Sequence, residues 1–230
     1  MSTQELAQLA TEHGSDKWNG HWYAGPYATH LESLRQQPIT LLEIGIGGYG
    51  DPEAGGASLR MWRDYFPNAQ IVGLDYYDKS PHAGERVRVY KGSQADPVAI
   101  ARMLNDFPGG FDVIIDDGSH QNEHVIASLY MLWQYVKPEG WYIVEDLQTA
   151  YWPNHGGRIS DLNSPQTSMG VLKSLVDALN WEERHQPTYQ PSSFDTTLTG
   201  LHFYHNLAFL KKGNNREGST EVKANRITGV

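Results

Sequence analysis

The stretch FDVIIDDGSH, Phe111 to His120, decides the fold. Val113, Ile114 and Ile115 form an unbroken apolar run, the pattern of a strand buried on both faces, and such strands belong to parallel sheets covered by helices. In those sheets ligands meet the carboxyl ends of the strands. Asp116, Asp117 and His120 fall there. A second apolar run, Trp141 to Val144, ends the same way in Glu145 and Asp146, so two strands deliver acid to one edge.

Working outward, Ile39 to Ile46 is a strand that runs into EIGIGGYG, and a helix from about Ser58 to Phe66 follows with Leu59, Trp62 and Phe66 on one face. Ile71 to Leu74 is a second strand, closing on Asp75. Val87 to Tyr90 is a third, followed by GSQADP and a helix from about Val98 to Phe107. After His120 a helix carries Val125, Leu129, Leu132 and Val136 at helical spacing until Pro138 and Gly140 end it. TAYWPNHGGRISDLNSPQ, which comes after the acidic pair, is too long for a mere connection and is a candidate lid or substrate loop. A helix from about Gly170 to Asn180 is followed by strand-like segments near Trp181 to Gln186 and Gly200 to Lys211. The alternation predicts an α/β fold, a doubly wound, mostly parallel sheet with a terminal antiparallel hairpin. One domain is expected over residues 1–212, with an N-terminal helical or lid segment over 1–38. Residues 213–230 are polar and expected to form a mobile tail. Within the N-terminal segment, HGSDKWNGHWYAGPY reads as an ordered loop. Its Asp16, Lys17, His21, Tyr23 and Tyr27 either reach over a ligand or form a polar surface connection.

A chain of 230 residues without cysteine can build a core but has neither disulfides nor a thiolate metal site, so any metal must be held by oxygen and imidazole. The formal charge of −9 argues against a nucleic-acid partner, since such proteins show a basic face to phosphate. No apolar run approaches the roughly 20 residues of a membrane span, and MSTQELAQLATEHGSDK lacks the basic start and apolar core of a signal peptide. No membrane partner and a cytoplasmic location are therefore expected.

GIGGYG matches the dinucleotide-binding pattern G-x-G-x-x-G, and Asp75 lies about 25 residues past its last glycine, near where a ribose-binding acid belongs. A nicotinamide-dependent oxidoreductase is one reading. Against it, Glu43 stands two residues before the first glycine, and DPEAGG delays the helix that a pyrophosphate would need at its N-terminus. At the other edge, Asp117, His120, Glu145 and Asp146 should converge from neighbouring strands. Carboxylates packed so closely either rise in pKa or are neutralised by a hard cation.

Acid, glycine loop, acid-ended second strand and terminal hairpin together resemble the class I S-adenosylmethionine-dependent methyltransferases. The resemblance implies that the glycine loop, with Glu43, Gly45 and Gly47, passes under the methionine part of the donor and that Asp75 takes the ribose hydroxyls. Ser93 and Gln94 are candidates for the adenine, and Asp116 is placed with the donor site, although bracing the turn explains it equally well. A narrower likeness rests on the GSDK loop, DDGSH on one strand end and ED on the next. These resemble the metal-dependent sugar O-methyltransferases of antibiotic biosynthesis, the macrocin, mycinamicin and rhamnosyl types. That likeness runs from about His13 to Lys212, and some members carry a large auxiliary domain ahead of it. It implies Asp117, Glu145 and Asp146 as ligands of Mg²⁺ and His120 as general base. The implied reaction is methyl transfer to a hydroxyl of a sugar or polyol, probed against a catechol-like phenol as the rival acceptor and against a binding module without turnover. The expected partner is a small glycoside, with homo-oligomerisation left open.

Overall fold

A computed structural model describes residues 2–184, 186, 188–219, 222–223 and 226–227. In chain order it contains α1 (Ser2–His13), α2 (Ala24–Leu31), β1 (Thr40–Ile44), α3 (Ala57–Tyr65), β2 (Gln70–Asp75), β3 (Val87–Lys91), α4 (Pro97–Asp106), β4 (Phe111–Asp116) and α5 (Asn122–Leu132). These are followed by β5 (Val136–Val144), α6 (Ser168–Ser174), α7 (Val176–Leu179), α8 (Ser193–Thr197), β6 (Leu198–Tyr204) and β7 (Leu207–Lys212). A seven-stranded sheet is ordered β3-β2-β1-β4-β5-β7-β6, with β7 antiparallel to both neighbours and the rest parallel. This is the expected doubly wound sheet, with its order reversing between β1 and β4.

The apolar strands divide their side chains with period 2 between two helical layers. Leu42 and Ile44, Ile114, and Tyr142 and Val144 pack against Ile100 of α4, Leu129 of α5 and Val171 of α6. Leu41, Val113 and Ile115, and Trp141 and Ile143 face the opposite layer, which holds Leu6 and Ala10 of α1, Tyr27 and Leu31 of α2, and Trp62 of α3. Continuing each strand by one step on this second face gives Glu43, Asp117 and Glu145. Three carboxylates therefore share one side of the sheet.

Register decides how they line up. Ile44 pairs with Leu74 and with Asp116, and Asp116 with Val144, so four strands finish level. The next residues of those strands, Gly45, Asp75, Asp117 and Glu145, emerge side by side. The ladder carries on past the strand ends, with Gly45 N–H donating to Leu74 O at 2.8 Å, Asp117 N–H to Ile44 O at 3.0 Å and Glu145 N–H to Asp116 O at 3.0 Å.

Several sequence expectations are corrected. Within the N-terminal segment α1 and α2 are built into the core, with Leu6, Ala10, Tyr27 and Leu31 at most 1% exposed. Trp181–Glu183 is a 3-10 turn rather than a strand. The hairpin lies wholly within β6 and β7, where Tyr204 pairs with Leu207 across a turn that puts Asn206 at φ +62°. Asparagine tolerates that left-handed backbone, and a two-residue turn needs it. The tail expected to be mobile from residue 213 is held at its start. Asn215 is buried and donates to the carbonyls of Ala178 at 3.1 Å, Leu179 at 3.3 Å and Asp195 at 2.8 Å. Farther on, Val222–Lys223 pairs with Arg226–Ile227, and residues 220–221, 224–225 and 228–230 of that tail lie outside the described residues. Among the described residues, no helix is long and apolar enough to cross a membrane.

Candidate active site

A cavity of about 830 Å³ opens above the level strand ends. Gly45, Gly47, Asp75, Ser93 and Gln94 line one part of it, and Asp117, His120 and Asp146 another, joined by Gly14, Ser15 and Asp16 of the N-terminal segment. Its size suits a small organic ligand.

On the glycine side, Asp75 ends β2 with both carboxylate oxygens already engaged by backbone, Oδ2 by Ile46 N–H at 2.8 Å and Oδ1 by Tyr77 N–H at 2.8 Å. Each oxygen keeps a lone pair for a hydroxyl at the cavity. Tyr49, Tyr76 and Tyr77 stand exposed at this mouth. Gly45 has φ +90°, and a Cβ there would overlap the Asp117 carbonyl oxygen. Its missing side chain therefore makes room for the DDGSH turn rather than for a ligand. Gly47, at φ +77°, would place a Cβ no closer than 3.8 Å to anything, so its face is open.

Two residues expected on the donor side do not line the cavity. Glu43 is fully buried on the α3 face, where its carboxylate accepts from Ser58 Oγ at 2.7 Å and Trp62 Nε1 at 3.2 Å. Asp116 is 1% exposed on the other face, accepting from Gln94 Nε2 at 2.8 Å, Tyr142 OH at 3.1 Å and Ser128 Oγ. Asp116 leaves the sheet on the face opposite Asp117, whereas Glu43 shares the Asp117 face but lies inside the strand end, level with Ile115, so neither points into the opening. Gln94 lines the cavity but also braces the turn, its Oε1 accepting from Ser119 N–H at 2.7 Å.

The acidic edge is arranged oxygen by oxygen. Asp117 Oδ2 accepts from Lys17 Nζ at 2.8 Å, while Oδ1 lies 4.0 Å from His120 Nε2. Asp146 Oδ1 accepts from Tyr23 OH at 2.9 Å and lies 3.5 Å from His21 Nε2, while Oδ2 lies 3.6 Å from His120 Nε2. One oxygen of each carboxylate is thus held by the N-terminal segment, and the other faces His120. Asp117, His120 and Asp146 each offer a ligand atom within 4.8 Å of the others, a spacing one cation could span. Glu145 is 3% exposed and does not line the cavity. Its Oε1 accepts from Lys17 Nζ at 2.7 Å and from Tyr27 OH. His120 and Asp146 both sit in the left-handed backbone region, at φ +56° and +54°. Such strain outside glycine is held in place only by surrounding structure and concentrates at functional sites.

Charge balance follows from this geometry. Burial pushes Asp117 and Glu145 above the usual carboxylate range, Glu145 further because Asp117 faces it, and Lys17 pulls both back. Burial alone would lower Lys17, but the carboxylates of Asp117, Glu145 and Glu43 around it raise it well above the ordinary lysine value, so it is a permanent cation. Two oxygens left facing a histidine in a partly neutralised acidic pocket are a donor set for a hard divalent ion such as Mg²⁺.

Lys17, Tyr23 and Tyr27 were expected either to reach over a ligand or to form a polar surface connection. Instead they are buried and grip the carboxylates, and of the five polar residues in that loop only Asp16 lines the cavity. The sequence did hold one signal for Lys17: so many acids at adjacent strand ends require a cation. The long stretch after Asp146 forms two 3-10 turns, Leu147–Tyr151 and Pro153–His155. Asn122, 1% exposed at the start of α5, fastens them by donating to Thr149 O at 3.1 Å and His155 O at 2.8 Å, and its Oδ1 accepts from Ser168 N–H at 2.7 Å and Ser168 Oγ at 3.0 Å. His155 lines the cavity, Trp152 packs edge-on to it at 5.8 Å, and Tyr151 is 37% exposed.

A reversing parallel sheet closed by an antiparallel hairpin, with a glycine loop and an acid-ended second strand below one cavity, is the class I methyltransferase fold. No family model matches the chain. Over 217 residues, 93% of its length, it is 44% identical to mycinamicin VI 2''-O-methyltransferase of Micromonospora griseorubida, of which it covers 54%. It is 43% identical over 224 residues, 96% of its length, to 8-demethyl-8-(2-methoxy-alpha-L-rhamnosyl)-tetracenomycin-C 3'-O-methyltransferase of Streptomyces olivaceus, covering 57% of that protein. A solved structure of MycE methyltransferase from the mycinamycin biosynthetic pathway, in complex with Mg and SAH, superposes with a TM-score of 0.90 at 43% identity, over 95% of this chain and 56% of that one. The chain is thus similar to these sugar O-methyltransferases over nearly all of its own length, and it spans about half the length of the curated relatives it matches.

Proposed function

We propose that the chain is an Mg²⁺-dependent O-methyltransferase that moves the methyl group of S-adenosylmethionine to a hydroxyl of a sugar on a glycosylated natural product, in the cytoplasm. The observation that carries this is the pair of carboxylate oxygens, Asp117 Oδ1 and Asp146 Oδ2, converging on His120 Nε2 at the cavity. Its relatives support the class of substrate: mycinamicin VI and a rhamnosyl-tetracenomycin are what those enzymes are named for.

In this reading Asp75 accepts hydrogen bonds from the donor's ribose hydroxyls, the Gly45 to Gly47 backbone lies along its methionine part, and Ser93 and Gln94 lie at the adenine. Asp117 and Asp146 hold Mg²⁺, and Glu145 is the third carboxylate that the likeness implies, its Oε1 engaged here by Lys17 and Tyr27. When bound, Mg²⁺ supplies orientation of the acceptor oxygens and a lowered pKa for the reacting hydroxyl. His120 Nε2 accepts the hydroxyl proton as the oxygen bonds to the methyl carbon and the thioether sulfur leaves with the electron pair of the broken C–S bond. Products are the methyl ether, the neutral thioether and a protonated imidazole. Imidazole is the side chain most often used for such proton transfer. Asp117 and Asp146 then stabilise the cation it becomes.

A chelator should abolish transfer to a rhamnoside, Mg²⁺ should restore it, and a catechol offered in its place should turn over poorly. Normal turnover by chelated enzyme would remove the metal from the mechanism, and efficient catechol methylation would change the substrate class.

A further inference from the structure

Lys17 is the cation the acidic edge is assembled on. It comes from the N-terminal loop, its side chain is 2% exposed, and its ammonium reaches one oxygen on each of three strand ends: Glu145 Oε1 at 2.7 Å, Asp117 Oδ2 at 2.8 Å and Glu43 Oε1 at 3.2 Å. Two of its N–H groups donate to Asp117 and Glu145, and Glu43 adds a third negative charge at ion-pair distance. Each acceptor is fixed from a second side or aimed at the site. Ser58 and Trp62 hold Glu43, Tyr27 holds Glu145, and Asp117 turns its remaining oxygen toward His120.

Resting on the metal-site reading above, we propose that Lys17 is a positioning residue for the divalent ion. By occupying one oxygen of Asp117 and one of Glu145 it dictates which oxygens are left for the ion and how far apart they stand. The proposal opposes the simplest electrostatic account. A fixed positive charge beside a dication repels it, so a lysine that merely neutralised surplus acid would weaken metal binding, and removing it would tighten that binding. A positioning lysine does the reverse. Without it, three carboxylates from β1, β4 and β5 repel one another and swing away from the arrangement in which Asp117 Oδ1 and Asp146 Oδ2 face each other across His120.

Because the sequence has no cysteine, Lys17→Cys introduces a single thiol that can be rebuilt chemically. Alkylation of the unfolded variant with bromoethylamine gives a side chain of lysine's length ending in an ammonium, and iodoethane gives a neutral one. Mn²⁺ binding by electron paramagnetic resonance and adenosylhomocysteine binding by calorimetry are then measured on each refolded protein, on Lys17→Met and on refolded wild type. We expect Lys17→Met and unmodified or ethylated Lys17→Cys to lose about tenfold or more in Mn²⁺ affinity, the scale of an outer-shell partner. Adenosylhomocysteine affinity should be unchanged, and aminoethylation should restore Mn²⁺ binding. Unchanged or tighter Mn²⁺ binding in the variants overturns the proposal, as does a parallel loss of both ligands, which would mark Lys17 as general scaffold. If the uncharged variants do not fold, the aminoethylated protein still decides: restored stability without restored Mn²⁺ binding counts against positioning. Wild type that takes up no Mn²⁺ would instead refute the metal site itself.

Discussion

Asp116 and Asp117 are adjacent in the chain and are treated in opposite ways. Asp116 faces the α5 layer, where three neutral donors, from Gln94, Ser128 and Tyr142, surround its carboxylate and no cation approaches within a salt-bridge distance. Asp117, on the other face, receives one bond from a buried ammonium and keeps an oxygen toward His120 and the cavity. A carboxylate walled off from the cavity holds structure together, and one that keeps an oxygen toward the cavity can do chemistry. Strand alternation alone separates the two.

The sharpest way to break that comparison is to ask which property fails on each side. On the Asp117 side, His120→Asn keeps a residue that tolerates φ +56° while removing the base. Its kcat should fall by about 10² to 10⁴, the usual range for general-base loss, with the urea midpoint unmoved. A midpoint that falls along with activity would show that this side also carries the fold.

On the Asp116 side the loss should be of stability. Asp116→Ala takes the acceptor from Tyr142 OH and leaves Ser128 Oγ only Val125 O and Gln94 Nε2 only Ser128 Oγ, and should cost about 1 to 3 kcal/mol in urea unfolding, while the remaining folded protein keeps its Mg²⁺ affinity. Loss of metal binding at unchanged stability would place Asp116 in the site after all.

A smaller effect sharpens the contrast through pH. Burial raises the Asp116 pKa, and the bonds from Ser128, Gln94 and Tyr142 only partly offset it. The folded state therefore holds this proton more tightly than the unfolded chain. The group's stabilising contribution is full below the unfolded value near 3.8 and is lost as pH rises through the folded one. Between pH 7 and pH 4, wild type should gain stability relative to Asp116→Asn. Parallel curves in urea titrations at the two ends of that range would mean that the three donors offset burial completely.

How much of this was legible in the sequence depends on what kind of information each residue carries. The ends of β2, β4 and β5 could be read because apolar runs mark where strands stop, so Asp75, Asp117, Glu145 and Asp146 fall in the expected row. That Asp116 and Asp117 leave on opposite faces is also implied by period 2. Which face opens into the cavity is not, because it depends on how the helices pack, and Glu43 and Asp116 were therefore placed with the donor when both are braces. The grip of Lys17 on Asp117 could not be read, because 100 residues separate the two and no local pattern reports a contact of that range. The left-handed backbone at His120 and Asp146 was equally hidden, since neither residue type announces it.

The turn at Asn206 has a consequence for when the site comes into being. Its carbonyl accepts from Leu147 N–H at 3.1 Å and from Tyr23 OH at 3.3 Å, the latter across a separation of 183 residues, and Lys17 reaches Asp117 and Glu145 across 100 and 128. Loops of that length close late, after the locally connected strand and helix units have formed. During synthesis, β1 to β5 can pair while the last hairpin is still unmade, leaving the loop after Asp146 without its clasp. A chain that has not yet added residue 207 to the sheet therefore has the acids of β1, β4 and β5 without the backbone clasp on the segment after Asp146.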